Sequence, residues 1–274
     1  MSKWSYEGKR AVIVGCFSGM GEAAARELVS LGAELHGFDI RESPVKMASF
    51  TKVDLSDPAS IDAAMASLPG DIDCLFNCSG LPQTFGAMAV MKVNFIGLRH
   101  WTEAWLPRIR KGGAVASIAS TAAYRFTENM GPALDLVAEP DFESGVKWVE
   151  ANPEPVGDGY GFSKQALVLY TLRRAVETVA NGVRMNVTLP SPTDTPMWQE
   201  HFAKFVSPGV FKAFSGPIGR FSTPAEQADP LIFLNSDAAA MVNGHAMPVD
   251  GGFVGGVLSG AFDPIAIMAG ASAT

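Results

Sequence analysis

Arg10-Ala11-Val12-Ile13-Val14-Gly15-Cys16-Phe17-Ser18-Gly19-Met20-Gly21 is the stretch on which the fold turns. Its first five residues are a short apolar, β-branched run that stops at a glycine, and a helical pattern follows from Gly21 to Leu31 with Ala23, Ala24, Ala25 and Leu28 inward. The spacing predicts a strand, a tight turn and a helix. Glycines at 15, 19 and 21 permit positive φ and let the amides around Phe17, Ser18 and Met20 approach a pyrophosphate at the helix start. The loop is suited to a dinucleotide.

The next segment sharpens that reading. Glu34-Leu35-His36-Gly37-Phe38-Asp39 reads as a second strand ending in a carboxylate, about twenty residues beyond the glycine turn. An acid there accepts both hydroxyls of an adenosine ribose and repels a 2′-phosphate, which favours NAD over NADP. Arg41, two positions on, leaves a second option open, because a guanidinium accommodates the phosphate if Asp39 turns away.

The alternation continues. Phe50 to Val53 predicts a third strand leading to Asp54-Leu55 beside an adenine edge, and Asp57-Pro58 caps a helix. Asp73 to Asn77 predicts a fourth strand, turned by Cys78-Ser79-Gly80 at the sheet edge where ligands collect. Ala87 to Lys111 reads as one long helix bent near Pro107, and Ala114 to Ala119 as a fifth strand with Ser120 just past its end. Residues 125–158 break the pattern with a Pro/Gly-bounded excursion carrying Leu134, Val137, Phe142, Val146, Trp148 and Val149, which predicts two short amphipathic helices.

Tyr160-Gly161-Phe162-Ser163-Lys164 opens the next helix, which stops at Asn181-Gly182. A phenol and an ammonium four positions apart share a helix face. The cation is expected to pull the phenol below its ordinary pKa of ~10, making it a base for an alcohol proton, and a hydroxyl at Ser120 can bond the same oxygen. Arg184 to Leu189 predicts a sixth strand, followed by the stiff loop Pro190-Ser191-Pro192-Thr193-Asp194-Thr195-Pro196. Trp198, Phe202, Phe205, Phe211 and Phe214 then fall at rough helical spacing, as a lid over an apolar substrate, or ordinary core, would need. A helix from Pro224 to Leu234 and a strand from Ala246 to Val249 close a seven-stranded, single-domain α/β sheet.

Composition bounds the rest. The 274 residues are 47% hydrophobic with a net charge of −7, and the Arg108 to Lys111 run reads as a helix end, so nucleic acid is not an expected partner. Met1 to Glu7 carries no signal-peptide pattern. Phe253 to Thr274, interrupted by Gly255, Gly256, Gly260, Asp263 and Pro264, reads as a packed tail, so no membrane partner is expected. Cysteines at 16, 74 and 78 and histidines at 36, 100, 201 and 245 show neither disulfide nor metal spacing, which points to a reduced cytoplasmic setting and no metal.

From Gly8 to Gly252 these residues resemble the short-chain dehydrogenase/reductase family. Gly15, Gly19, Gly21, Asp39, Asp54-Leu55, the Asn77 to Gly80 turn, Asn94, Ser120, Tyr160, Lys164, Asn186 and Val249-Asp250-Gly251-Gly252 fall in the family's order. The resemblance implies a Rossmann-like doubly wound parallel sheet and the catalytic set Asn94, Ser120, Tyr160 and Lys164. It implies that Tyr160 removes the alcohol proton while a hydride passes to the nicotinamide, that Ser120 orients the oxygen, that Lys164 also holds the nicotinamide ribose, and that Asn94 pins a backbone kink and a water. Cofactor contacts would come from Gly15, Phe17, Ser18, Gly19, Met20, Gly21, Asp39, Ile40, Asp54, Leu55, Cys78, Ser79, Gly80, Tyr160, Lys164, Pro190, Thr193 and Thr195. Val14, Cys78, Ser79 and Ser191 depart from the usual family residues.

Ser120 and Tyr160 stand forty positions apart, where the family usually leaves about a dozen residues between them, so 125–158 is an insertion. It resembles that of bacterial members acting on 3α-hydroxysteroids and carbonyls. The implied activity is NAD-dependent interconversion of a secondary alcohol and a ketone on a bulky apolar substrate, in a homodimer or homotetramer. Alternatives are a dehydrogenase of smaller cyclic or aromatic alcohols and a non-catalytic NAD-binding regulator. A Tyr to Lys separation of four and the absence of a large C-terminal domain argue against an enoyl reductase or a sugar-nucleotide epimerase.

Overall fold

Strand β1 (Arg10–Val14) buries its last four residues completely, as a strand covered on both faces requires. In this computed structural model, which describes residues 2–202 and 208–268, it lies inside a seven-stranded parallel sheet. The other strands are β2 (Glu34–Asp39), β3 (Ser49–Lys52), β4 (Ile72–Asn77), β5 (Ile109–Ile118), β6 (Arg184–Pro190) and β7 (Ala246–Val249). Their order is β3-β2-β1-β4-β5-β6-β7. The chain winds outward from β1 in one direction and, from β4, in the other. A crevice therefore opens at the carboxyl ends of β1 and β4, where neighbouring loops diverge.

Helices cover both faces. On one side α1 (Gly19–Ser30) and α11 (Pro224–Asn235) bury Ala24, Ala25, Leu28, Ala228 and Leu231 against the sheet. On the other, α2 (Pro58–Ser67), α4 (Leu98–Trp105) and α8 (Tyr160–Thr178) bury Ile61, Trp101, Trp105 and Leu167. Asp57 caps α2 by accepting from the Ala59 amide, with Pro58 at the first helical position.

Two boundaries differ from expectation. The single helix expected from Ala87 to Lys111 is instead α3 (Ala87–Met91), a π turn (Lys92–Gly97) and α4, closed by a 3₁₀ turn at Leu106–Arg108. The π turn runs so close to the chain after β3 that a Cβ on Gly97 would overlap the Leu55 carbonyl. Pro107 then ends the helix, and Ile109 already pairs with Ile72, so Arg110 and Lys111 lie in β5 rather than at a helix end.

Between β5 and α8 stand α5 (Met130–Ala138), α6 (Phe142–Ala151) and a short α7 (Pro153–Val156). Phe142 and Val149 are buried, while Leu134, Val137, Val146 and Trp148 pack partly buried against the core. Asp141 and Ser144 form a capping box at the start of α6. Arg99 of α4 reaches under this segment: Nη1 donates to the carbonyls of Val137 (3.1 Å) and Glu139 (2.7 Å), and Nη2 to Asp141 (3.0 Å). A buried cation thus satisfies the loose carbonyls at the end of α5.

Beyond β6 lie α9 (Pro196–His201) and α10 (Pro208–Phe214); Phe205, one of the expected aromatic residues, falls outside the described residues. After β7, Asp250 accepts from the amides of Gly252 (2.9 Å) and Val254 (2.8 Å), starting α12 (Phe253–Ser259), and α13 (Pro264–Met268) follows. Phe253 packs edge-on against Tyr124 and Phe262.

Candidate active site

At two of its glycines the turn leaves no room for a side chain. Gly15 has φ +89°, and a Cβ there would overlap the Ser79 amide; one on Gly21 would overlap the Gly15 carbonyl oxygen. The turn is therefore pressed against Cys78-Ser79-Gly80, whose Cys78 amide donates to Val14 O at 2.8 Å. Ser18 precedes α1 in extended conformation and its side chain makes no capping bond. The first-turn amides after it, from Gly19, Met20 and Gly21, have no partner within the helix. This cradle fits a pyrophosphate.

Asp39 closes one end of the cradle. Its Oδ2 accepts from the Phe17 amide (2.9 Å) and its Oδ1 from the Arg41 amide (3.1 Å), so the carboxylate is held at the tip of β2. The Arg41 guanidinium stacks 3.9 Å from the Phe17 ring centre. Ile40 is half exposed beside it. Asp54 faces away from full solvation, accepting from Ser56 N and Oγ at 2.8 and 2.7 Å, and Leu55 is buried.

The four residues expected to carry chemistry come from separate elements and converge. Tyr160 is the first residue of α8, entered through Gly159 at φ +84°, where a Cβ would press into Ala87. Lys164 lies one turn on and is almost fully buried; its Nζ donates to Ile118 O at 3.1 Å and sits 5.9 Å from the Tyr160 ring centre. Ser120, just past β5, accepts from the Ala122 amide at 3.1 Å. Asn94 sits in the π turn: its Oδ1 accepts from Leu81 N (2.6 Å) and its Nδ2 donates to Leu81 O (2.9 Å). Gly80 stands between them, with a hypothetical Cβ 3.4 Å from Lys164 Nζ and 3.6 Å from Asn94 Oδ1.

The expectation about the tyrosine's acidity needs correction. Tyr160 is not pulled down by its lysine: packing around the phenol raises its pKa above the ordinary value, and the opposing influence is the hydrogen bond with Ser120. Lys164 itself is brought down to about 8 by burial, so it is a weakened cation in the protein without ligand. The Asn94 side chain bonds the Leu81 backbone through both its oxygen and its nitrogen. The Thr193 hydroxyl bonds Ser191 O and Ser222 Oγ at 2.9 Å each. Thr195 accepts from the Trp198 amide at 3.2 Å as the N-cap of α9, after Pro190 has ended β6.

An aromatic wall flanks Tyr160. Phe202 lies edge-on to it at 6.2 Å, Trp198 stacks on Phe202 at 5.3 Å, and Phe221 meets Trp198 at 4.6 Å. The helical spacing of the aromatics was visible in sequence; Phe221, from the chain before α11, was not.

A glycine cradle at the switch point of a parallel sheet, with a Tyr–Lys pair at the same edge, defines a nucleotide-binding oxidoreductase, and the comparisons agree. Residues 9–132 match the short chain dehydrogenase family, and residues 149–254 match the family described as Enoyl-(Acyl carrier protein) reductase. The chain is 33% identical over 245 residues to coniferyl-alcohol dehydrogenase of Pseudomonas sp. strain HR199, covering 89% of this chain and 96% of that protein. It is 32% identical over 254 residues to 3-alpha-hydroxysteroid dehydrogenase/carbonyl reductase of Comamonas testosteroni, covering 88% and 95%. The crystal structure of 3-alpha-hydroxysteroid dehydrogenase from Pseudomonas sp. B-0831 complexed with NADH superposes with a TM-score of 0.78 at 26% identity, over 92% of this chain and 98% of that one. The chain belongs to the short-chain dehydrogenase/reductase family, and is an oxidoreductase acting on alcohol groups.

Among the described residues, no helix is long and apolar enough to cross a membrane.

Proposed function

We propose that the protein is an NAD-dependent dehydrogenase that interconverts an alcohol and a carbonyl on a bulky, apolar substrate. The observation that carries this reading is the convergence of Ser120, Tyr160 and Lys164 beside the Asp39-closed glycine cradle, with the Phe202–Trp198 wall against the tyrosine. Two relatives above 30% identity are named for dehydrogenation of an alcohol, and one solved relative was crystallised with NADH.

When bound, NAD supplies the two-electron acceptor for the carbinol carbon. The chain's own residues handle the proton and the oxygen. Tyr160 Oη, as phenolate, takes the alcohol proton in oxidation and returns it to the carbonyl oxygen in reduction. Ser120 donates to the same oxygen and steadies its developing charge. Lys164, with its ammonium positioned by Ile118 O, would hold the nicotinamide ribose. Asn94 fixes the Leu81 backbone, next to Gly80 of the turn after β4. Asp39, with both oxygens oriented by backbone amides, accepts the adenosine ribose hydroxyls and disfavours a 2′-phosphate, while Arg41 is engaged by Phe17. The assembly we propose is a homodimer or homotetramer in the cytoplasm, with the aromatic segment from 191 to 220 acting as a lid.

The nature of the alcohol divides two readings: a 3α-hydroxysteroid, or an aromatic alcohol. The flat, stacked Trp198–Phe202 pair and the relative named for coniferyl alcohol favour giving the second equal weight. Initial rates of reduced-nicotinamide formation with NAD and with NADP, across steroid, cyclic and aromatic alcohols, test both. Tyr160→Phe is expected to bind NADH within a few-fold of the parent and to lose on the order of 10²–10⁴ in turnover. Full turnover in that variant would refute the assignment of the base.

A further inference from the structure

Thr84 and His201 meet although they are far apart in the chain. Thr84 Oγ1 lies 2.9 Å from His201 Nδ1, and the Phe85 and His201 rings pack at 5.3 Å with a 54° tilt. Thr84 and Phe85 belong to the 3₁₀ turn Gln83–Phe85 on the loop after β4, the loop whose Leu81 is gripped by Asn94. His201 ends α9, and the next residue, Phe202, faces Tyr160.

A six-residue helix has no stability of its own. Its first turn is held by the Thr195 cap and by Gln199 Nε2 donating to Asp194 Oδ1 at 2.5 Å. Its last residue is held by Thr84 and Phe85. These two contacts tie the end of α9 to the loop after β4, beside the contact of Phe202 with Tyr160. Because they share one imidazole, losing either loosens the other.

We propose that Thr84 and His201 are positioning residues that latch α9 across the mouth of the cleft and set its width, so that the Trp198–Phe202 pair is held against Tyr160 for a flat, apolar alcohol. This rests on the dehydrogenase reading above. A hydrogen bond or an aromatic contact of this kind shifts an equilibrium by roughly twofold to tenfold, so the effect belongs in substrate binding rather than in the chemical step.

The test is a double-mutant cycle on the full chain with Thr84→Val, which removes only the hydroxyl's bonding, and His201→Phe, which keeps a ring on Phe85 but no nitrogen. Each single variant is expected to raise KM for an aromatic alcohol about three- to tenfold, to leave kcat within about twofold and to leave KM for a small aliphatic alcohol unchanged. The double variant should be no worse than either single one. Hydrogen exchange of the 195–202 peptide, followed by mass spectrometry without substrate, should speed up equally in all three. Additive effects, a change confined to kcat, or unaltered exchange would overturn the latch. Should the parent turn over no alcohol at all, the dehydrogenase reading falls while the exchange comparison still decides the latch.

Discussion

The two sides of the cleft are built by different means. On the cofactor side, Gly15 and Gly21 stack backbone on backbone, and an added methyl group at Gly21 would occupy the place of a carbonyl oxygen. On the substrate side, the helices of 125–158 and α9 are held through side chains: apolar packing on the core and Arg99 on the backbone after α5 for the first, and, for the second, the aromatic contacts of Trp198 and Phe202 together with His201 on a turn after β4. The first kind of construction leaves no space for an added side-chain atom at those two glycines. The second is made of side-chain contacts outside the sheet, so a substitution there acts on the cleft wall before it acts on the sheet.

The largest expected effect probes the substrate side. Arg99→Ala leaves the carbonyls after α5 without a donor and removes a cation from that helix end, at a cost of roughly 2–4 kcal/mol in urea unfolding. Exchange of the 130–141 amides should rise with it, and a loss confined to other regions would show that Arg99 does not clamp this segment. Next, Gly21→Ala should cost about 1–3 kcal/mol and abolish most of the NADH binding seen by fluorescence titration. Near-parental binding would mean that the cradle has slack which its geometry denies.

A smaller effect concerns Lys164. Burial lowers its pKa from 10.5 to about 8, so the folded protein releases a proton that the unfolded chain keeps throughout that interval. The destabilisation from burying the charge is therefore complete below pH 8 and is relieved as pH rises toward 10.5. Without cofactor, Lys164→Met should compare best with the parent near pH 7 and lose that relative advantage by pH 10. The difference in melting behaviour should correspond to on the order of 2 kcal/mol, reduced by the lost bond to Ile118 O. A constant difference across pH would refute the lowered value. Activity carries the opposite signature: since the Tyr160 pKa is raised, alcohol oxidation should climb with pH well past neutrality, as more phenolate forms.

Much of the site was legible because it depends on order along the chain. The glycine turn, Asp39, Ser120, Tyr160 and Lys164 each lie at the end of a strand or the start of a helix, and parallel winding brings such ends to one edge whatever the loops contain. The interruption at 125–158 was visible for the same reason, as a break in alternation. Other features were not legible. The helix before β5 looked continuous in its apolar pattern, but the close approach of Gly97 to Leu55 forces a π turn that no periodicity announces. The tyrosine's pKa could not be read from its spacing to lysine, because burial acts on both groups and opposes the expected shift.

The sequence by itself determined the sheet, its winding and the residues at its carboxyl edge, since hydrophobic period and glycine placement act locally and constrain every fold the chain could adopt. Only the tertiary structure decided what those residues experience. Whether Thr193 is free, what Asn94 grips, how strongly Lys164 is charged and where His201 lands depend on partners tens of residues away or farther. Desolvation and hydrogen bonding are properties of the packed surroundings, and these exist only once the chain has closed on itself.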